Sequence, residues 1–378
     1  MTTSRDVYQQ NFSLCFNESY EELNHTTTHM MNIRDTGAWR LILPYSIIFM
    51  LAVSGNVLVI VTLLLNQRMR TVTNVFLFNL AMSDLLLGVF CMPFTLTGVL
   101  YREFLFGSAL CKLIPYFQAV SVSVSAWTLV SMSVERYFAI CHPLKSRKWQ
   151  TLSHAYRMIT VVWVGSLLCM LPILVLSQLQ KIKGTEKQKC RESWPSLSAE
   201  QGFNIFLDVF LLILPLILMS VTYALIIRTL RQAMLISTDE TDQSSGRKVR
   251  SCWNSFPDLN RNAASTFSCT SGTSVSAPPA IRKNNSEHGI IQKKRIVQML
   301  FVVVLEFFIC WSPLYAINTV SLFHADVVYS KIGYSGVSFL QLLAYTSSCC
   351  NPVTYCFMNT RFRESFLAVF NCKCKKSR

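Results

Sequence analysis

Seven long apolar stretches dominate this chain, at about 41–65, 74–100, 109–141, 154–178, 203–235, 291–323 and 333–358, and a water-soluble fold cannot hide them all. A helix rising 1.5 Å per residue needs about 20 apolar residues to cross roughly 30 Å of hydrocarbon, and lipid offers no partner to an unpaired backbone group. Each stretch is long enough, so the pattern predicts an all-α membrane protein, a seven-transmembrane helix bundle. Composition agrees: 51% of the 378 residues are hydrophobic, 15% are charged and mean hydropathy is +0.36.

The 35 Lys and Arg against 20 Asp and Glu decide the direction of threading. With the N-terminus extracellular, most basic residues fall on the cytoplasmic side, among them Arg68, Arg70, Lys145, Arg147, Lys148, Arg247, Lys293, Lys294, Arg295, Lys375 and Lys376. That is the positive-inside pattern. Nucleic acid is not an expected partner, because the basic residues carry no aromatic interleaving and no nucleic-acid motif. The same orientation puts Asn11-Phe-Ser, Asn17-Glu-Ser and Asn24-His-Thr where glycosylation happens. No basic region followed by an apolar core and cleavage site opens the chain, so the first span is expected to serve as the insertion signal.

Three regions follow: a glycosylated N-terminus at 1–40, a seven-span domain at 41–358, and an amphipathic helix with tail at 359–378. Within the second, residues from about 237 to about 288 are rich in Ser, Thr and Asn and contain Pro278-Pro279, which reads as a flexible cytoplasmic loop. Its hydroxyls are either phosphate acceptors or part of a solvated linker. Phe362, Phe366 and Phe370 recur every four residues beside Arg361 and Arg363, as in a helix lying on a membrane surface, and Cys372 and Cys374 suit acyl anchors.

An ionised side chain at mid-bilayer costs about 2.5 to 3.5 kcal/mol on insertion scales, so each intramembrane acid needs partners or a purpose. Asp84 has Asn56, Ser125, Ser347 and Asn351 on other spans as candidate partners, either around a sodium ion held at Asp84 and Ser125 or as a static packing bond. Asp208, in the outer part of the fifth span, either meets a basic ligand group or pairs with a neighbouring helix. Glu306 either stays protonated or loosens the packing around it through its charge.

Glu135-Arg136-Tyr137 closes the third span at its cytoplasmic edge, where an adjacent acid can hold the guanidinium in one state and release it in another. Cys310-Trp311-Ser312-Pro313 and Asn351-Pro352-Val-Thr-Tyr355 place prolines in the sixth and seventh spans, and Pro172 and Pro215 fall in the fourth and fifth. Each proline removes one helical hydrogen bond. Of the 14 cysteines, Cys91, Cys141, Cys169, Cys310, Cys349, Cys350 and Cys356 lie in apolar stretches and read as packing residues. Cys111 begins the third span and Cys190 lies in the outside loop before the fifth, and a disulfide between them would fix the loop bearing Lys189, Arg191, Glu192 and Trp194 over the helix mouth.

Taken together, these motifs resemble the rhodopsin-like G-protein-coupled receptors over about residues 40–371. The resemblance implies that Arg136 engages a heterotrimeric G protein after release from Glu135, and that Trp311 with Phe307 relays ligand contact to the sixth helix bent at Pro313. It further implies that Tyr223 and Tyr355 steady the active form, that arrestin is a second partner and that the plasma membrane is the location. Within that group the chain is similar to the cholecystokinin and gastrin receptors through Met69-Arg-Thr-Val-Thr-Asn74, Phe90-Cys-Met-Pro-Phe94, Ser121-Val-Ser-Val-Ser125, Ser146-Arg-Lys-Trp-Gln-Thr151 and Tyr345-Thr-Ser-Ser-Cys349.

This likeness implies a short amidated peptide ligand and signalling through the Gq class and calcium. Arg191 would meet a sulfated tyrosine, Asn318 the amide end, and Trp39 and Tyr345 further parts of the peptide. Two features depart from it. Ser321 stands where those receptors carry an arginine that pairs with the peptide's aspartate. Cys111-Lys-Leu-Ile-Pro-Tyr-Phe-Gln118 and Cys190-Arg-Glu-Ser-Trp194 look more like the orexin and RFamide receptors, with Gln118 facing the pocket to bind a peptide amide.

A transporter would show charges along a continuous path or two related halves with broken helices, and neither is visible. An enzyme would need clustered catalytic groups, yet the six histidines (25, 29, 142, 154, 288 and 324) all lie at edges or in loops. No catalytic residue and no cofactor beyond the sodium ion is expected.

Overall fold

A computed structural model describes residues 39–66, 69, 71–182, 187–242 and 279–370. Asn11, Asn17, Asn24, Cys372 and Cys374 lie outside the described residues, as do Arg68, Arg70 and the middle of the expected loop.

The spanning helices are α1 (Trp39–Leu65), α2 (Val72–Tyr101), α3 (Gly107–Cys141) and α4 (Leu152–Leu176), then α5 (Leu197–Gln232), α6 (Lys294–Phe323) and α7 (Gly333–Met358). Six of them are long and apolar enough to cross a membrane by length and composition alone. The seventh, α7, is less apolar because it turns Ser338, Ser347, Ser348, Asn351 and Thr354 inward, where they are buried. It takes its place by packing between α6 and α1. Short helices Pro143–Trp149 and Ala325–Lys331 join neighbouring spans, and α8 (Thr360–Phe370) follows α7.

Local chemistry sets several boundaries. The hydroxyl of Thr71 accepts a hydrogen bond from the Asn74 amide, Thr151 from His154 and Ser196 from Ala199, so α2, α4 and α5 each begin on a capped turn. π-helical segments at Leu86–Cys91 and Val209–Ile213 lie just before Pro93 and Pro215. A proline lacks the amide hydrogen and its ring crowds the carbonyl one turn back, and a widened turn accommodates both. Pro313 and Pro352 lie inside continuous helices.

α3 is the hub of the bundle, with Ser121, Ser123, Ser125, Ser131 and Ser133 all buried along it. Such small side chains let neighbouring helices approach closely, and several of the hydroxyls bond their own helix, Ser121 to the Phe117 carbonyl and Ser133 to that of Leu129. Leu43, Met50 and Leu64 of α1 and Val161 and Leu168 of α4 point outward, the arrangement that lipid solvates. Gly55 of α1 faces Pro352 so closely that a Cβ there would lie 3.0 Å from the proline ring.

One expectation needs correction. Residues 237–242 and 279–288 were expected in a flexible loop, but helices continue through them, to Asp242 from α5 and from Pro279 into α6. Once a helix is nucleated each added residue gains a bond, and neither extension contains an interior proline. The amphipathic helix expected after the last span is α8, whose Phe362 and Phe366 are buried in the protein, with ring centroids 5.8 Å apart from Tyr355 to Phe362 and 5.2 Å from Phe362 to Phe366. The Asn66 amide donates to Ser365 at 3.2 Å and ties α8 to the end of α1.

Candidate functional site

One end of the bundle is covered by an antiparallel hairpin, β1 (Ser177–Lys181) and β2 (Gln188–Glu192), with Cys190 opposite Leu179. A disulfide joins Cys190 to Cys111 at the start of α3, with Cα atoms 5.5 Å apart. The Phe104 amide adds a bond to the Gln188 carbonyl at 2.8 Å, so β2 is held from two sides. Burial, helped by Arg191 and Arg102, holds the Lys189 ammonium below the usual lysine range, and these three cations share one rim. Burial pushes the Glu192 carboxyl above the usual range, opposed by the indole of Trp194, which donates to Oε2 at 2.8 Å, and reinforced by Glu200. Trp194 in turn packs on Phe203 of α5, with centroids 5.0 Å apart.

Beneath the hairpin, Tyr345 ties three helices together. Its hydroxyl lies 2.8 Å from that of Thr95 on α2 and donates to Oε1 of Gln118 on α3 at 3.3 Å. Tyr345 is fully buried, with the Tyr45 ring edge-on at 6.2 Å, so it positions Gln118 rather than presenting its own surface. With its oxygen engaged by Tyr345, Gln118 keeps its amino group as a donor. On α6 the Thr319 hydroxyl donates to Asp208 of α5 in a short contact, so the sequence alternative of helix pairing is realised for that acid. Asn318 is exposed beside it, with its carbonyl accepting from Ser321 at 2.7 Å. Trp39, 54% exposed at the start of α1, lies under the Arg40 guanidinium at 5.9 Å.

Midway through the bundle a small cavity is lined by Asp84, Ser125, Phe307, Trp311, Ser347 and Asn351, among others. The amide of Asn351 donates to Asp84 at 2.8 Å, and the indole of Trp311 donates to the Ser347 hydroxyl at 2.9 Å. Rings continue along α6 from Phe307 to Trp311 at 6.3 Å and from Trp311 to Tyr315 at 6.2 Å. Of the four partners expected for Asp84, Asn351 bonds it directly. Ser125 instead pairs with Ser83 at 2.9 Å but lines the same cavity, as does Ser347. Asn56 does not join the cluster; its amide donates to the carbonyls of Ala52 and Ser348 and so grips the α7 backbone. Sequence gives the depth of a residue in a span, but not the helix rotation that decides which side chains meet.

At the opposite end, Arg136 pairs with Glu135 at 3.2 Å, and both side chains are largely buried, 17% and 9% exposed. The amide of Gln150 donates to the Glu135 carbonyl at 3.1 Å. Tyr223 is buried with Phe301 edge-on at 5.5 Å. Tyr355 is buried too, and its hydroxyl has no hydrogen-bond partner among the described residues. An orphaned buried hydroxyl costs about 1–3 kcal/mol, which a rearranged state can recover.

Residues 55–355 match the family described as "7 transmembrane receptor (rhodopsin family)". The chain belongs to this family. It is 40% identical to the cholecystokinin receptor of Xenopus laevis over 354 residues, covering 89% of this chain and 78% of the relative. It is 41% identical to the human cholecystokinin receptor type A over 344 residues (88% and 80%), and 38% identical to the dog gastrin/cholecystokinin type B receptor over 352 residues (85% and 77%). Membership makes this rhodopsin-family protein a multi-pass membrane receptor and not an enzyme.

In this receptor the expected relay residues Asp84, Trp311, Phe307 and Asn351 meet around one cavity, whereas the pairs at Glu306, Asn79 and Gly55 were not anticipated. The Thr354 hydroxyl donates to Oε1 of Glu306 at 2.7 Å. Asn79 donates to Thr128 and accepts from the Trp163 indole, each at 2.8 Å, joining α2, α3 and α4. Polar residues at matching depth in three spans were the only signal available for the Asn79 group.

Proposed function

We propose that this receptor binds an amidated peptide of the cholecystokinin and gastrin type at the hairpin end and activates a heterotrimeric G protein of the Gq class at the Arg136 end. The hairpin and N-terminus then face outside the cell at the plasma membrane, and the Arg136 end faces the cytoplasm, where arrestin is a second partner. The observation that carries this reading is the Trp311–Ser347 bond, which links α6 to α7 directly over the Asp84–Asn351 pair. A ligand that shifts Trp311 disturbs α6 and α7 together, and the paired Arg136 lies at the end those helices open. The names of the relatives supply the ligand class.

Within that frame Gln118 and Asn318 hold polar groups of the peptide, Trp39 and Arg191 contact its outer part, and Tyr345 fixes Gln118. Glycans on Asn11, Asn17 and Asn24 and acyl chains on Cys372 and Cys374 complete the proposed receptor. The cavity beside Asp84 offers a carboxylate, hydroxyls and an amide, an oxygen-rich donor set that fits a hard cation such as sodium. If it binds there, raising sodium chloride against N-methylglucamine chloride stabilises the wild type to heat, and Asp84→Asn abolishes that difference.

A second reading, a receptor for an orexin or RFamide peptide, is favoured by the Tyr345–Gln118 bond, which prepares a donor for a peptide amide. Calcium release in cells expressing the chain separates the two, using sulfated and unsulfated cholecystokinin, gastrin, orexin and RFamide peptides. A response to cholecystokinin or gastrin is expected. A response only to orexin or RFamide peptides replaces the ligand assignment, and silence towards all of them removes the peptide-receptor reading.

A further inference from the structure

Asp208 is a carboxylate inside an apolar span that no cation among the described residues neutralises. Among the described residues the ion pair found is that of Arg136 with Glu135, at the other end of the bundle. The contact made by Asp208 is the Thr319 hydroxyl, which engages Oδ2. Neither the outer part of α5, Leu197–Asp208, nor the α6 segment from Trp311 to Phe323 contains a lysine or arginine. Unlike Asp84 and Glu306, which lie deep in the bundle, Asp208 sits on the hairpin side of it. Thr319 is eight residues outward from Trp311, about 12 Å along the helix. The column Trp311, Tyr315, Thr319 occupies one face of α6, and Asp208 closes its outer end.

A lone acid in the outer part of a membrane span is costly unless a charge arrives to meet it. We propose that Asp208 is the subsite for a cationic side chain of the peptide, an arginine or lysine close to its amidated end. This rests on the reading of the chain as an amidated-peptide receptor and, within it, sides with the RFamide reading over the cholecystokinin and gastrin one, whose peptide presents an aspartate. The second carboxylate oxygen receives the guanidinium or ammonium while Thr319 keeps Oδ2 in place, a charge-assisted contact in a site sheltered from water. The cationic group so held stands on the ring column that ends at Trp311, which couples recognition of charge to the relay.

The test measures nucleotide exchange on a G protein in membranes containing the full-length receptor. The probes are three tetrapeptide amides, Trp-Met-Arg-Phe-amide, its norleucine analogue in place of arginine, and its aspartate analogue. The wild type is expected to favour the arginine peptide over the norleucine peptide by about tenfold or more in potency. Asp208→Asn erases that preference, whereas Thr319→Val, which breaks the helix tie and leaves the carboxylate, retains it. Equal potency of the arginine and norleucine peptides on the wild type overturns the subsite. So does an equal loss for all peptides in Asp208→Asn and Thr319→Val, the pattern of a purely structural bond. A response to the aspartate peptide alone overturns the cation subsite and leaves the receptor reading intact, while exchange with none of the three overturns both.

Discussion

Glu306 of α6 and Thr354 of α7 share a 2.7 Å hydrogen bond in which the threonine hydroxyl donates, and the second carboxyl oxygen of Glu306 is buried without a partner among the described residues. The bond bridges the helix that carries Trp311 and the helix that carries Asn351 and Tyr355. The sequence alternatives for Glu306 were a protonated acid or a charge that loosens packing, and neither named this polar tie across the helices, which favours an acid that holds them together. A buried hydrogen bond contributes about 1 kcal/mol, roughly a fivefold shift in a two-state equilibrium. Removing it with Glu306→Leu or Thr354→Val is expected to raise ligand-free nucleotide exchange by about that factor, while Glu306→Gln, whose amide oxygen still accepts, stays near wild type. Lower basal exchange in Glu306→Leu would instead favour the loosening charge.

The hairpin depends on one covalent anchor. Replacing Cys190 with serine frees β2 from α3, leaving the backbone bond from Phe104 as a weak substitute. Peptide potency is expected to fall by about tenfold or more, since a disulfide typically contributes 2–4 kcal/mol to the order of what it closes. Competition binding on intact cells measures it, and unchanged affinity would show that the hairpin is not part of the ligand site.

Burial raises the Glu192 carboxyl above its ordinary range, so the folded hairpin binds that proton more tightly than the unfolded chain does. Its favourable contribution is therefore fully present below the unfolded carboxylate pKa, about 4.3, and is lost as pH rises through the higher folded value. Hydrogen exchange of β1 and β2 in detergent is expected to quicken between pH 4.5 and neutrality beyond the intrinsic pH dependence, as a ~pH-linked effect. Glu192→Gln, which can still accept from Trp194, flattens that excess. An identical excess in the variant would assign it to another group.

Gly55 meets Pro352 at the contact of α1 with α7, and a Cβ there would stand 3.0 Å from two ring carbons. Gly55→Val overpacks this contact and is expected to cost about 1–3 kcal/mol, lowering the thermal midpoint in detergent. A midpoint equal to wild type would mean that the helices separate without penalty.

The spans were legible because apolar length is a property of contiguous sequence, and the Cys111–Cys190 pair because one cysteine opens the third span and the other lies in the loop before the fifth, at the same end. α7 was also legible, although its inward Ser338, Ser347 and Asn351 make it the least apolar of the seven. Side-chain pairing was legible only in part. Asp84 meets Asn351 as expected, yet Asn56 turns to the Ser348 carbonyl and Ser125 to Ser83, because helix rotation is fixed by packing among all seven helices. Phe362 and Phe366 show the same limit: their four-residue spacing predicts an apolar face, but whether lipid or Tyr355 covers it depends on where α8 docks.

Peptide-driven nucleotide exchange by purified receptor and purified Gq-class heterotrimer tests the relay from Trp311 to Arg136 most directly. An amidated peptide should accelerate exchange on the wild type, and Arg136→Ala should abolish the acceleration while peptide binding persists. Binding without any acceleration on the wild type, or acceleration that survives in Arg136→Ala, would contradict it.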